Sequence, residues 1–103
     1  MYMEADEIKE VRIDSSNRLF VLPKSKTFPY IYREAMEVSW DCKSRALHSP
    51  VPRKWSHVMW FQQILDAARE QGCELVLTVN THWLNVPISV KDEILALPAR
   101  PNA

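Results

Sequence analysis

The side chains able to do acid–base, nucleophilic or metal chemistry are few here and widely spaced. Histidines stand at 48, 57 and 82 and cysteines at 42 and 73. Zinc sites built from neighbouring ligands use short spacings such as C-x₂-C or H-x₃-H. The histidine intervals of nine and twenty-five residues fit neither pattern, and no metal is expected. His57 lies beside Trp60 and Phe61 on the apolar side of a helix, where a histidine is usually a core residue satisfied by a backbone carbonyl. Cys73 follows a helix C-terminus, whose negative dipole end raises a thiol pKa and makes a poor nucleophile. Cys42 sits in a turn between Asp41 and Lys43 and reads as an inert exposed thiol. Carboxylate catalysis needs two acids converging in a cleft. Surface ion pairing accounts better for Glu34, Glu37 and Asp41.

Glycine usage excludes more. The only glycine is Gly72. A phosphate-cradling loop and a dinucleotide fingerprint each need several glycines, and the nucleophile elbow needs two around its serine. All three are ruled out, and no cofactor is expected.

Two segments carry residues suited to binding. Arg45, His48, Arg53, Lys54 and Trp55 are interleaved with prolines between 45 and 55. Cations beside an aromatic ring can contact phosphates while the ring stacks on an unpaired base. Proline-rich loops are semi-rigid and lose less freedom on binding. The structural alternative is that Trp55 staples the helix entry and the cations are solvated. The second segment, 80–87, follows a buried strand and carries His82, Trp83 and Asn85. Loops in that position often build sites on rigid scaffolds.

The elements that must hold these residues follow from periodicity. Val11 and Ile13 alternate with Glu10, Arg12 and Asp14, a half-buried strand. Ser15-Ser16-Asn17 turns the chain into a second strand, Arg18 to Leu22. Tyr30 to Ala35 reads as a further strand, with Glu34 to Val38 also compatible with a helical turn. Val38–Asp41 and Ala46–His48 form a hairpin. Pro50 and Pro52 break the chain. From Trp55 to Gln71 the apolar residues His57, Trp60, Phe61, Ile64, Leu65 and Ala68 share one helical face, and Gly72 supplies the stop. Glu74 to Val79 is a strand. A short helix from Ser89 to Leu97 is opened by Ser89 with Asp92 and closed by Pro98. The order β-β-β-β-α-β-α predicts an α+β fold. Its antiparallel sheet has about four to five strands, with one long amphipathic helix and a short C-terminal helix.

At 103 residues, 47% apolar and 25% charged, the chain suits one globular domain. Residues 1–10 read as an acidic N-terminal segment free to move, 11–97 as the domain and 98–103 as a tail. Net charge is zero, unlike a general nucleic-acid binder. The middle is nevertheless basic: residues 11–56 hold nine Lys/Arg against Asp14, Glu34, Glu37 and Asp41. No apolar run reaches the 18 or so residues of a membrane helix. The first ten residues show no secretion signal. Two reduced thiols and a cytoplasmic location are therefore expected, with no membrane partner.

Tyr30–Ala35 (YIYREA), Val38-Ser39-Trp40-Asp41, Pro52-Arg53-Lys54-Trp55 and Trp83-Leu84-Asn85-Val86-Pro87 carry a resemblance. Over roughly Val11 to Leu95 the chain resembles small bacterial proteins of integron gene cassettes, part of the mobile gene pool. The resemblance implies a bacterial, cytoplasmic accessory protein of unknown activity, and supplies no catalytic residue. Excess Trp and Tyr without catalytic groups is an interface signature. The expected function is thus a non-catalytic binding or interaction module with a protein or small-molecule partner, a homodimer included. The alternatives are nucleic-acid or acidic-partner binding through Arg45–Trp55, and a small enzyme with a Trp/His-lined pocket.

Overall fold

A computed structural model of the chain describes residues 3–97. Six strands form one sheet: β1 (Glu4–Ile13), β2 (Leu19–Pro23), β3 (Ser39–Asp41), β4 (Ala46–His48), β5 (Cys73–Val76) and β6 (His82–Leu84). The order is β3-β4-β2-β1, with β5 and β6 lying end to end along the far edge of β1. Helix α1 (His57–Glu70) packs on one face of the sheet and α2 (Ile88–Leu95) packs beside it. The α+β class and the two helices follow the sequence reading.

The sheet is mixed rather than antiparallel, because both β5 and β6 run parallel to β1. Parallel neighbours need a crossover, and the long connection through α1 supplies it. The strand expected from Glu10 begins at Glu4, so residues 4–10 are the first seven of the ten in β1 rather than a segment outside the domain. Simple alternation conceals this. Ile8, Val11 and Ile13 are all buried, and the first two are an odd number of residues apart. A bulge at Lys9, between the pairs Ile8–Pro23 and Glu10–Leu22, absorbs the extra residue and restores the phase. The expected C-terminal tail, 98–103, lies outside the described residues.

Tyr30–Ala35 is not a strand. Residues Ile31–Arg33 form a 3₁₀ turn. Phe28, Ile31, Ala35 and Val38 are the buried positions, a helical rather than a two-residue spacing. Backbone bonds from Ile31 to Phe28, Ala35 to Ile31 and Val38 to Ala35 follow that path. Strand β5 stops at Val76, short of the expected Val79, which is fully exposed in the following turn. Thr81 ends that turn: its hydroxyl donates to the Ile8 carbonyl at 2.7 Å and seats β6 on β1. The segment read as a polar loop thus contains a strand. Helix α2 opens at Pro87 without a side-chain cap, so Ser89 lies in its first turn.

The core between sheet and helices holds Ile8, Val11, Leu19, Val21 and Leu47 from the sheet and Trp60, Phe61, Ile64 and Ala68 from α1. Gly72, at φ 87°, occupies the left-handed position after the α1 C-cap.

Candidate binding cleft

The cleft begins where β4 ends. Ser49 is fully buried, and its N–H donates to the Leu19 carbonyl at 2.9 Å. Its hydroxyl accepts the Leu19 N–H at 3.1 Å and donates to the Pro50 carbonyl at 2.7 Å. The serine side chain therefore does for β2 what a ladder carbonyl would, and the chain is free to leave the sheet. Pro50, Val51 and Pro52 carry it to the start of α1. Ser56 caps that helix by accepting the Met59 N–H.

Trp55 precedes the cap and Trp60 is the fourth helical residue, the two positions of a hydrophobic staple. Their rings meet at 4.8 Å between centroids and 46° between planes. Trp60 is 6% exposed, whereas Trp55 is 40% exposed. Stapling thus holds Trp55 in place but leaves ring surface to solvent. Around the pair lies a cleft of about 610 Å³ lined by Arg18, Glu37, Pro50, Val51, Arg53, Lys54, Trp55 and Trp60. That size falls within the roughly 300–1,000 Å³ of small-molecule sites.

Three cations therefore face one carboxylate over an aromatic floor. Arg18 arrives from the β1–β2 turn, which Asp14 builds by accepting the Ser16 and Arg18 N–H groups at 2.9 Å each. His57 ties that turn to α1, its Nε2–H donating to the Asn17 carbonyl at 3.1 Å. Among the described residues, no ion pair or side-chain hydrogen bond engages the Arg18, Arg53, Lys54 or Glu37 side chain.

Of the residues singled out in the sequence, the structure brings Arg53, Lys54 and Trp55 together and adds Arg18, Glu37 and Trp60. Arg45 stands in the β3–β4 turn at φ 55° and does not line the cleft. His48 does not line it either. Its ring packs on Phe20 at 4.9 Å, Arg12 lies 5.1 Å from the same Phe20 ring, and its Nδ1–H donates to the Ser49 carbonyl. His82 and Trp83 are successive strand residues and face opposite ways. His82 lies 3.0 Å from Glu10, while half-buried Trp83 packs against the core under Lys91. Asn85 is exposed and takes a left-handed turn at φ 56°, a conformation asparagine tolerates.

Among the described residues, no histidine or cysteine lines the cleft. Cys73 is buried, and that burial, with the Asp6 charge, pushes its thiol up to about 11. Cys42 is exposed. Asp41 is held below its ordinary value by the Ser44 hydroxyl and the Lys43 N–H. Among the described residues, no three His, Cys, Asp or Glu side chains are grouped to hold a metal ion, and no helix is long and apolar enough to cross a membrane.

Residues 6–81 match the family model described as Integron Cassette Protein Hfx_Cass5. A solved structure from the mobile metagenome of North West Arm Sewage Outfall, integron cassette protein Hfx_Cass5, is 52% identical. The match covers 89% of this chain and 93% of that one, with a TM-score of 0.49. No curated protein matches.

Proposed function

The chain belongs to the Hfx_Cass5 family of integron cassette proteins, and from that premise we propose a small non-catalytic binding module whose working surface is the Trp55–Trp60 cleft. Its ligand is anionic. One observation carries this reading: Arg18, Arg53 and Lys54 line a single aromatic-floored cleft with Glu37 as the only lining carboxylate, and all three cations lack partners among the described residues. A stapling role explains why Trp55 meets Trp60, but it gives the cations no task. Binding is preferred to catalysis because the lining side chains include no histidine, cysteine or carboxylate pair to move a proton or form a bond. The two unpaired cysteines suit a reducing bacterial cytoplasm, where we place the protein.

A thermal-shift panel of metals, metabolites and small anions tests the reading. A ligand at a hundred times its dissociation constant adds about 2.7 kcal/mol, which moves the midpoint of a domain this size by about 10 °C or more. The shift is expected with anions alone and is expected to vanish in an Arg53→Gln, Lys54→Gln double variant. A shift that survives the double variant places the ligand elsewhere and refutes the reading.

Self-association is a second reading. Tyr30 and Tyr32 are each 54% exposed, with the Arg33 guanidinium 4.8 and 6.0 Å from their ring centroids. Tyr and Arg are enriched at interfaces. A mass that stays monomeric as concentration rises would dispose of it.

A further inference from the structure

We infer that the ligand of the cleft is a nucleotide, taken one unit at a time, with its base on the exposed Trp55 ring and its phosphate against Arg53 and Lys54. This rests on the reading of the cleft as the binding site and specifies its ligand. A simple anion would be served by the cations alone. The exposed indole adds a flat apolar platform, backed by Trp60 at 4.8 Å and fixed by the helix entry, so little freedom is lost when a ring stacks on it. Glu37 adds an acceptor in a cleft otherwise lined by donors and apolar groups. A carboxylate repels phosphate but accepts from base amino groups and sugar hydroxyls, so it orients a ligand that has both anionic and donor ends. An acidic peptide would set its own carboxylates against Glu37 and leave the indole unused.

The limit to one unit follows from the platform. Single-strand binders stack successive bases on successive aromatic residues along a basic groove. Here the lining offers one exposed ring, because Trp60 is buried, and three cations around a space of about 610 Å³. That is room for one base, sugar and phosphate rather than a track.

Calorimetric titration of the full chain decides this. The probes are a nucleoside 5′-monophosphate, the nucleoside, ribose 5-phosphate, inorganic phosphate, an acidic heptapeptide and a single-stranded hexanucleotide. The expected result is one monophosphate per chain, bound roughly 5- to 150-fold more tightly than ribose 5-phosphate, the range that base stacking confers. Trp55→Leu keeps an apolar staple and is expected to erase that advantage. Arg53→Gln with Lys54→Gln leaves the staple untouched and is expected to abolish the preference for monophosphate over nucleoside. If inorganic phosphate or the peptide binds as tightly as the monophosphate and the double variant still removes binding, the nucleotide assignment falls while the anionic cleft stands. If the hexanucleotide binds and the monophosphate does not, the one-unit site is wrong. If no probe binds, or the cleft variants bind unchanged, both readings fail together.

Discussion

Replacing Ser49 by alanine tests the joint from which the cleft is hung. The change removes one oxygen and leaves the side chain's volume nearly intact, so the loss is one of hydrogen bonding. The Leu19 N–H would stay buried without its acceptor, at a cost of about 1–3 kcal/mol. The Pro50 carbonyl would lose its 2.7 Å donor, and because Pro50 is half-buried, water recovers part of that. Adding about 0.5–1 kcal/mol for it gives a total of about 1.5–4 kcal/mol, a large share of the roughly 5–15 kcal/mol that holds a domain together. The assay is urea unfolding followed by tryptophan fluorescence. The midpoint is expected to fall at constant slope, since the surface exposed on unfolding is unchanged. In a thermal scan the same loss lowers the midpoint by at least about 6 °C. Thr27→Ala, at an exposed position, is the control and should stay within about 0.5 kcal/mol. A Ser49→Ala protein as stable as that control would mean the Leu19 N–H has another partner, and the account of how the proline segment is anchored would be wrong.

Asp6 is buried, and one of its oxygens accepts the Ser25 and Lys26 N–H groups at 2.9 Å each. Asp6→Ala should cost about 2–4 kcal/mol in urea unfolding, whereas Asp6→Asn, which keeps an accepting oxygen, should lose less than half of that. The Cys73 thiol, at about 11 when folded against 9.0 for the free group, holds its proton more tightly in the native state. The stability this confers is complete below pH 9 and lost as pH rises from 9 to 11, an effect on the order of 2–3 kcal/mol. Cys73→Ala should flatten that part of the stability profile. Alkylation at pH 8 should label one thiol per folded chain, Cys42, and two in urea; native labelling of both would contradict the burial.

What could be read from the sequence was whatever depends on local period. Helix α1 shows its apolar face at regular spacing and its stop at Gly72, and both are where the residues put them. The β1–β2 hairpin is equally local, since Asp14 and Asn17 make their own turn. The errors arose where a neighbour decided the outcome. The bulge at Lys9 breaks the alternation of β1 and so conceals the burial of Ile8 in the core and of Asp6 beneath the Ser25 and Lys26 N–H groups. Tyr30 and Tyr32 have strand propensity, yet burial of Ile31 and Ala35 against the sheet selects a helical turn. Strand β6 has three residues and exists because β1 leaves an edge open beyond β5. The cleft divides in the same way. Arg53, Lys54 and Trp55 are consecutive and could be found together, while Arg18 and Glu37 come from elements distant in sequence and needed the fold. Serine at N-cap with aromatics at 55 and 60 was the available signal for Trp60.

Ser49, Ser56 and the Trp55–Trp60 pair each have a task in folding: closing the ladder, capping the helix and stapling its entry. Those tasks would be met as well by a segment bearing neutral residues at 53 and 54. Elsewhere among the described residues Arg12, Lys24, Lys26 and Arg69 are paired with Glu10, Glu7, Glu4 and Glu74, while Lys9, Lys43 and Arg45 are unpaired but line no common cleft. At the cleft three are gathered with one carboxylate and engage none, although their mutual repulsion disfavours the arrangement. Repulsion of this kind is relieved by an anion, and the ring beside it is held by the helix start rather than by the ligand. An occupant stacked on Trp55 would therefore tighten the first turn of α1, so amide exchange at Val58 to Trp60 should slow when the cleft is filled and remain unchanged at the distant β3–β4 turn. Slowing at both, or at neither, would detach the staple from the site and leave Trp55 a purely structural residue.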